Sequence, residues 1–91
     1  MEKVRYIIEY DTDIEEKLRR FSKPIREIIR KAIEKKLMVD PVAFGKPLRY
    51  SLKGYRRLRV ADYRVVYKII EEKVVVLIID IDHRKSIYED D

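Results

Sequence analysis

Basic side chains recur at alternate positions of two adjacent β-like segments. Segments 55–60 and 63–70 are separated only by Ala61 and Asp62, which is the spacing of a two-residue hairpin turn. Strand alternation then places four basic residues on one sheet face, with Arg59 opposite Arg64: Arg57, Arg59, Arg64 and Lys68. Because facing like charges are unfavourable, either acidic side chains or an anionic ligand must compensate them. The planar arginine fork matches phosphate oxygens, so a phosphate-binding face is the sharper hypothesis.

The single histidine, His83, is a candidate for proton transfer, because histidine is the residue type that ordinarily changes charge near neutral pH. Continuing the strand register across Glu71 and Glu72 puts His83 on the same face as Arg64. With one histidine and no cysteine, only carboxylates such as Asp80 could complete a metal site. We therefore expect neither a metal nor another cofactor.

Composition limits the remaining possibilities. The 91 residues suit one domain spanning 1–91, with 46% hydrophobic and 43% charged residues. A net charge of +5 favours an anionic partner, which could be RNA, DNA, an anionic membrane or an acidic protein. The start of the chain has no secretory pattern, and the longest apolar run is too short to span a bilayer. We expect a cytoplasmic protein without a membrane partner.

Hydrophobic periodicity assigns the elements that carry these residues. Segments 4–10, 55–60, 63–70 and 73–82 alternate as strands, and segments 13–21 and 24–40 repeat at helical spacing. Asp40-Pro41 ends the second helix, and 42–54 reads as a loop. The order β-α-α-β-β-β predicts an α+β fold, an antiparallel sheet covered on one face by a helical hairpin.

Several short motifs together resemble the RelE/ParE superfamily of toxins, and within it the RelE branch. The resemblance covers nearly the whole chain and depends on the order and spacing of five runs: Gly45-Lys46-Pro47-Leu48, Leu52-Lys53-Gly54-Tyr55, Arg57-Leu58-Arg59, Asp62-Tyr63-Arg64-Val65-Val66-Tyr67, and Ile81-Asp82-His83-Arg84 with Tyr88.

The resemblance implies a toxin that cleaves messenger RNA in the ribosomal A site, where the 2′-hydroxyl attacks the adjacent phosphate, and that a cognate antitoxin inhibits. Arg64 would stabilise the scissile phosphate, and Arg84 would share that role. Tyr88 would handle the 2′-hydroxyl proton or stack on a base, and His83 would be a second candidate for proton transfer. Residues corresponding to the family's RNA-binding strand region are Lys53, Arg56, Arg57 and Arg59. The partners would be the antitoxin, the ribosome and messenger RNA, with no small-molecule cofactor.

Two departures and two alternatives accompany this interpretation. Arginines stand near Arg57 where some family members have lysines, and the tail Glu89-Asp90-Asp91 is acidic. The alternatives are a ParE-like inhibitor of DNA gyrase and a non-catalytic RNA-binding remnant of the family. We also expect the Arg64 side chain to contribute charge and not packing, so that its removal should cost only about 0.5 kcal/mol.

Overall fold

A five-stranded sheet carries two helices on one of its faces in the computed structural model, which describes residues 4–83. The strand order is β1-β5-β4-β3-β2. The strands are β1 Ile7–Tyr10, β2 Lys46–Pro47, β3 Arg56–Val60, β4 Tyr63–Ile70 and β5 Val75–His83. The helices are α1 Thr12–Arg19, α2 Lys23–Ala32 with a π-helical continuation Ile33–Leu37, and α3 Pro41–Phe44. The predicted α+β class is confirmed.

The first strand joins the sheet in parallel with the last one. Ile7 pairs with Val75 and Tyr10 with Ile78, whereas every other strand pair is antiparallel. The predicted strand over 4–10 is shortened because the Tyr6 amide donates to the Met38 carbonyl oxygen instead of to a strand. The sheet is therefore mixed and not wholly antiparallel.

The hydrophobic core lies between the helices and one sheet face. Ile14 and Leu18 of α1, and Ile29 of α2, are fully buried against the sheet, as their i, i+4 and amphipathic spacing predicts. Pro24 occupies the first turn of α2, where its missing amide hydrogen costs no hydrogen bond. The sheet contributes apolar residues of β3, β4 and β5: Leu58, Val60, Val65, Tyr67, Val76, Ile78 and Ile81.

The hairpin register predicted between β3 and β4 is confirmed. Val60 pairs with Tyr63 and Arg59 with Arg64, and Ala61 adopts a left-handed conformation (φ 54°) in the connecting turn. The next connection is longer than predicted, because a 3₁₀ turn over Glu71–Lys73 and a left-handed Val74 place Ile70 opposite Val75.

A β-bulge interrupts the pairing of β4 with β5. Tyr67 pairs with Ile78 but Val66 pairs with Asp80, so Ile79 is an extra residue. A single extra residue reverses the side-chain alternation of the strand that contains it. Residues of β5 beyond Ile79 therefore point to the face opposite the one that a regular strand would give them.

The predicted loop over 42–54 is partly ordered into short elements. Asp40 caps α3 by accepting a hydrogen bond from the Ala43 amide at 3.0 Å. β2 adds two residues to the edge of β3, and a 3₁₀ turn covers Tyr50–Leu52. Within residues 4–83, no helix combines the length and apolar character that crossing a bilayer requires.

Candidate functional site

Four basic residues share the sheet face that the helices do not cover, as predicted; we call this the basic face. It consists of Arg57, Arg59, Arg64 and Lys68. Arg59 and Lys68 are exposed, but Arg57 is only 7% and Arg64 only 1% exposed. The prediction that the Arg64 side chain contributes charge and not packing is therefore wrong, because the side chain is buried.

The bulge gives Arg64 acidic neighbours. Asp82 stands directly opposite Arg64, and Asp80 stands opposite Val66 on the same face. Side chains that face each other across an antiparallel pair lie within about 5.5 Å at Cβ. A buried guanidinium requires this kind of compensation, because an unpaired buried charge is very costly. The sequence left two ways to compensate the facing arginines, acidic side chains of the protein or an anionic ligand. Acidic side chains of the protein do lie beside the basic face.

His83 does not lie on the basic face, so the predicted placement beside Arg64 is wrong. It pairs with Tyr63 on the helix-covered face, and the two rings meet edge to face with centroids 5.2 Å apart. Tyr63 in turn packs against Phe21 at 5.2 Å. The bulge at Ile79 is the physical cause, because it reverses the alternation on which the prediction relied.

Lys17 of α1 binds both carboxylates next to Arg64. Its Nζ lies 2.7 Å from Asp80 Oδ1 and 3.2 Å from Asp82 Oδ2. Within the described part of the chain no strand pairs with the outer edge of β5 beyond Ile78, and Lys17 reaches the carboxylates there. Partial burial by itself would lower the Lys17 pKa, but the two hydrogen bonds and the two carboxylate charges outweigh it and raise the pKa.

A small cavity gives access to Arg64. It has a volume of about 280 Å³ and is lined by Leu52, Tyr55, Arg64, Val66, Ile79 and Asp80. Leu52 of the 3₁₀ turn and Tyr55, which immediately precedes β3, form one wall of the cavity. An anionic group entering this cavity would meet a guanidinium whose position is already fixed by burial. Sequence reasoning missed this wall, because the segment before β3 shows no regular period.

Arg56, predicted to bind RNA, lies on the helix-covered face opposite Tyr67. Its Nη2 donates to the carbonyl oxygens of Val42 at 2.7 Å and Gly45 at 3.0 Å. The Tyr67 hydroxyl donates to the Pro41 carbonyl oxygen at 2.5 Å. Burial raises the Tyr67 pKa and outweighs the Arg56 charge, which lowers it. These bonds fix the segment that contains α3 against the sheet.

The remaining predicted residues divide between exposed and undescribed positions. Lys53 is exposed just after the 3₁₀ turn that borders the Arg64 cavity. Arg84 and Tyr88 lie outside the described residues, so their roles stay predictions. Lys17 was missed because nothing in its local sequence distinguishes it from other helical lysines. No group of three or more potential metal ligands of the His, Cys, Asp or Glu type occurs within residues 4–83.

Comparison with known proteins identifies relatives of this chain. The family model described as ParE toxin of the type II toxin–antitoxin system parDE matches residues 8–88. The mRNA interferase toxin RelE of Escherichia coli is 31% identical over 81 residues, which are 88% of this chain and 84% of that protein. Toxin RelG of Mycobacterium tuberculosis is 43% identical over 49 residues, 54% of this chain; the match spans little more than half, 56%, of that relative.

The fold matches a solved toxin closely. The crystal structure of the toxin–antitoxin complex RelBE2 from Mycobacterium tuberculosis superposes with a TM-score of 0.84 at 30% identity, covering 91% of this chain and 95% of that one. A family model over most of the chain and a relative aligned over most of its length agree with the fold. This chain therefore belongs to the RelE/ParE superfamily of toxins of type II toxin–antitoxin systems.

Proposed function

We propose that this toxin is an endoribonuclease of the RelE branch that cleaves messenger RNA on the ribosome. The observation that carries the proposal is Arg64, a guanidinium fixed by burial at the centre of the basic face and lining a cavity large enough for a phosphate group. A relative named as an mRNA interferase aligns over 88% of the chain and supports the RelE branch. We also propose that this toxin acts in the cytoplasm, where its proposed substrate, ribosome-bound messenger RNA, is found.

The reaction proposed is an intramolecular transesterification, in which the phosphate exchanges its bond to the 5′-oxygen of the following nucleotide for a bond to the 2′-oxygen of the ribose that already carries it. The 2′-oxygen loses its proton and attacks the adjacent phosphorus, the bond to the 5′-oxygen breaks, and that oxygen accepts a proton. The products are a 2′,3′-cyclic phosphate and a 5′-hydroxyl. Arg64 stabilises the charge that develops on the non-bridging oxygens, a contribution that typically amounts to about a hundredfold to a thousandfold in rate.

Proton transfer is assigned to residues near the end of the chain. Of the two candidates from the family resemblance, His83 lies on the helix-covered face beside Tyr63, so we favour Tyr88. Arg84 is proposed to assist Arg64 at the phosphate. Neither Tyr88 nor Arg84 lies within the described residues, and both roles rest on the resemblance alone.

RNA is proposed to cross the basic face. Arg57 and Arg59 lie in the strand adjacent to Arg64, and Lys53 lies near the cavity rim. Contacts of this kind are made with the phosphate backbone, so binding weakens steeply as salt increases. Arg56 is fixed by two backbone carbonyl oxygens and is proposed to support α3 instead of the RNA.

The regulatory partner is proposed to be a cognate antitoxin. The RelBE2 toxin was solved with its antitoxin, and a toxin of net charge +5 would attract an acidic, amphipathic segment. Co-expression with the protein encoded by the neighbouring reading frame should give a stable, inactive complex. Failure of any product of the same operon to bind would contradict this part of the proposal.

The decisive experiment uses purified toxin, ribosomes and a defined messenger RNA. We expect cuts within the A-site codon, mapped by primer extension, with a 2′,3′-cyclic phosphate on the upstream fragment. A message with a single 2′-deoxynucleotide at the cut position should remain intact, because it lacks the nucleophile. Cleavage of the deoxy-substituted message at an equal rate would contradict the mechanism, and no cleavage of either message would contradict the function.

A ParE-like activity on DNA gyrase is the second candidate, and the family model described as ParE toxin favours it. Gyrase supercoiling assays with the same preparation distinguish the two functions. Inhibition of supercoiling without cleavage of ribosome-bound messenger RNA would establish the ParE reading. A protein inactive in both assays that still binds RNA would be the non-catalytic remnant.

A further inference from the structure

A second cavity opens beside the basic face, at the outer edge of β3. β2 pairs only with Arg56 and Arg57, so within residues 4–83 no strand pairs with the outer edge of β3, the edge away from β4, from Leu58 onward. The cavity has a volume of about 450 Å³ and is lined by Lys36, Phe44, Lys46, Arg57, Leu58 and Arg59. It is separate from the cavity that contains Arg64, with which it shares no lining residue.

The lining combines positive charge with one exposed aromatic ring. Four of the six lining residues are cationic and none is acidic. These cations come from three elements, since Lys36 belongs to the π-helical turn, Lys46 to β2 and Arg59 to β3. Phe44, the one aromatic residue of the lining, is 49% exposed. An exposed aromatic ring amid converging cations is the combination with which proteins hold single-stranded nucleic acids.

The position of Phe44 is fixed by the sheet below it. Phe44 ends α3, and this segment is bonded to β4 through Tyr67 and to β3 through Arg56. Gly45 follows at once and packs so closely on Tyr67 that no Cβ could be accommodated there. The backbone that carries the ring is therefore ordered before RNA binds, which avoids the entropy cost that ordering a mobile loop on binding would add.

We propose that this cavity binds one nucleotide of single-stranded RNA, with the base stacked on Phe44 and the phosphate held by Lys46 and Lys36. The inference rests on the proposed function and adds a substrate subsite to it. Arg59 of the cavity pairs directly with Arg64, one strand away at about 5 Å. The bound nucleotide is thus a neighbour of the one whose phosphate is cleaved.

The shape and chemistry of the lining favour RNA over an acidic peptide. A docked amphipathic helix or added strand needs a row of apolar contacts at regular spacing. Here the apolar lining consists of Phe44 and Leu58, and the other lining residues are cations. Stacking on one ring with surrounding positive charge fits a nucleotide better than a peptide segment.

Binding of a short 2′-O-methyl RNA oligonucleotide tests the subsite, because that RNA cannot be cleaved through its 2′-oxygen. Fluorescence anisotropy gives its affinity, and a 2-aminopurine in the sequence reports stacking. Phe44→Ala should weaken binding by about 5-fold to 150-fold and abolish the stacking signal. Phe44→Leu, which keeps an apolar side chain but loses the ring, should behave like Phe44→Ala, whereas Phe44→Tyr should bind normally.

Two further variants complete the design. Val42→Ala is the matched control, because Val42 lies on the same helix, is 53% exposed and does not line the cavity; it should bind RNA normally. Lys46→Ala should reduce the dependence of log affinity on log salt concentration by about 0.7. Wild-type affinity in Phe44→Leu, or no binding by the wild type, would overturn the subsite.

Failure of the nucleotide subsite can be distinguished from failure of the proposed function. If the wild type cleaves ribosome-bound messenger RNA and Phe44→Leu binds RNA normally, the proposed function stands and the subsite is refuted. If the wild type binds the oligonucleotide through Phe44 but does not cleave messenger RNA, the proposed function is refuted and the subsite stands. If the Phe44 variants bind RNA normally but lose antitoxin affinity, the cavity is a protein-docking site and the proposal is wrong.

Discussion

Replacing Arg64 should affect stability and catalysis by separate and measurable amounts. Because the side chain is 1% exposed, Arg64→Ala leaves a cavity and also removes the cation facing Asp82. We expect a loss of about 2–5 kcal/mol in the free energy of unfolding. That loss is comparable to the whole stability of a marginal domain, which is typically about 5–15 kcal/mol. Alanine alone would therefore confuse unfolding with lost chemistry.

Arg64→Met and Arg64→Lys resolve this confusion. Methionine keeps a long side chain without charge, and lysine keeps the charge without the planar fork. The cleavage rate should fall by about a hundredfold to a thousandfold for Arg64→Met and by less for Arg64→Lys. Arg59→Ala is the control, since Arg59 is the exposed strand neighbour of Arg64 and should affect mainly RNA affinity.

The assay combines urea unfolding with single-turnover cleavage of ribosome-bound messenger RNA. Unfolding curves establish the folded fraction of each variant under the cleavage conditions, and the rate is then expressed per folded molecule. If folded Arg64→Met cleaves as fast as the wild type, the assignment of Arg64 to the phosphate is refuted. If Arg64→Ala unfolds at the same urea concentration as the wild type, the argument from burial is refuted.

Three further predictions concern the supports of the site. Gly45→Ala should destabilise the fold by about 1–3 kcal/mol, seen as a lower urea midpoint, because its Cβ would overlap the Tyr67 hydroxyl; an unchanged midpoint would contradict this contact. Tyr67→Phe should cost about 1–3 kcal/mol in the same measurement, because the Pro41 carbonyl oxygen loses its donor, and Phe44→Tyr provides a variant that leaves this bond intact. Because the Lys17 pKa is raised in the fold, this side chain stabilises the fold fully below its unfolded pKa of about 10.4, and the stabilisation is lost as pH rises through the higher folded pKa. Melting temperatures across that range should fall less steeply with pH for Lys17→Met than for the wild type. Equal slopes would contradict a contribution of the ion pair between Lys17 and Asp80 to stability.

The sequence predicted the β3–β4 hairpin correctly because its information is local. Two residues, Ala61 and Asp62, separate two alternating runs, and a turn of that length leaves only one register. The pairing of Arg59 with Arg64 follows from that register alone. The helices were also predictable, since a helical stripe is read within a few turns of one segment.

The errors arose where the structure depends on contacts between distant segments. The bulge at Ile79 has no local signature, because every residue around it is compatible with a regular strand. It moved His83 away from Arg64 and brought Asp82 toward it. The burial of Arg64 was equally hidden, since it depends on residues of the segment before β3 that close over the sheet.

The pairing of the first strand with the last one also determines when this fold can form during synthesis. β5 lies between β1 and β4 in the sheet, yet it is the last described strand to be translated. Until it has left the ribosome, β1 has no partner and α1 has only part of the surface on which it packs. Contacts between such distant segments are also slow to form. A ribosome that has not yet released β5 therefore carries an unfinished toxin, in which Arg64 still lacks the strand that places Asp82 opposite it.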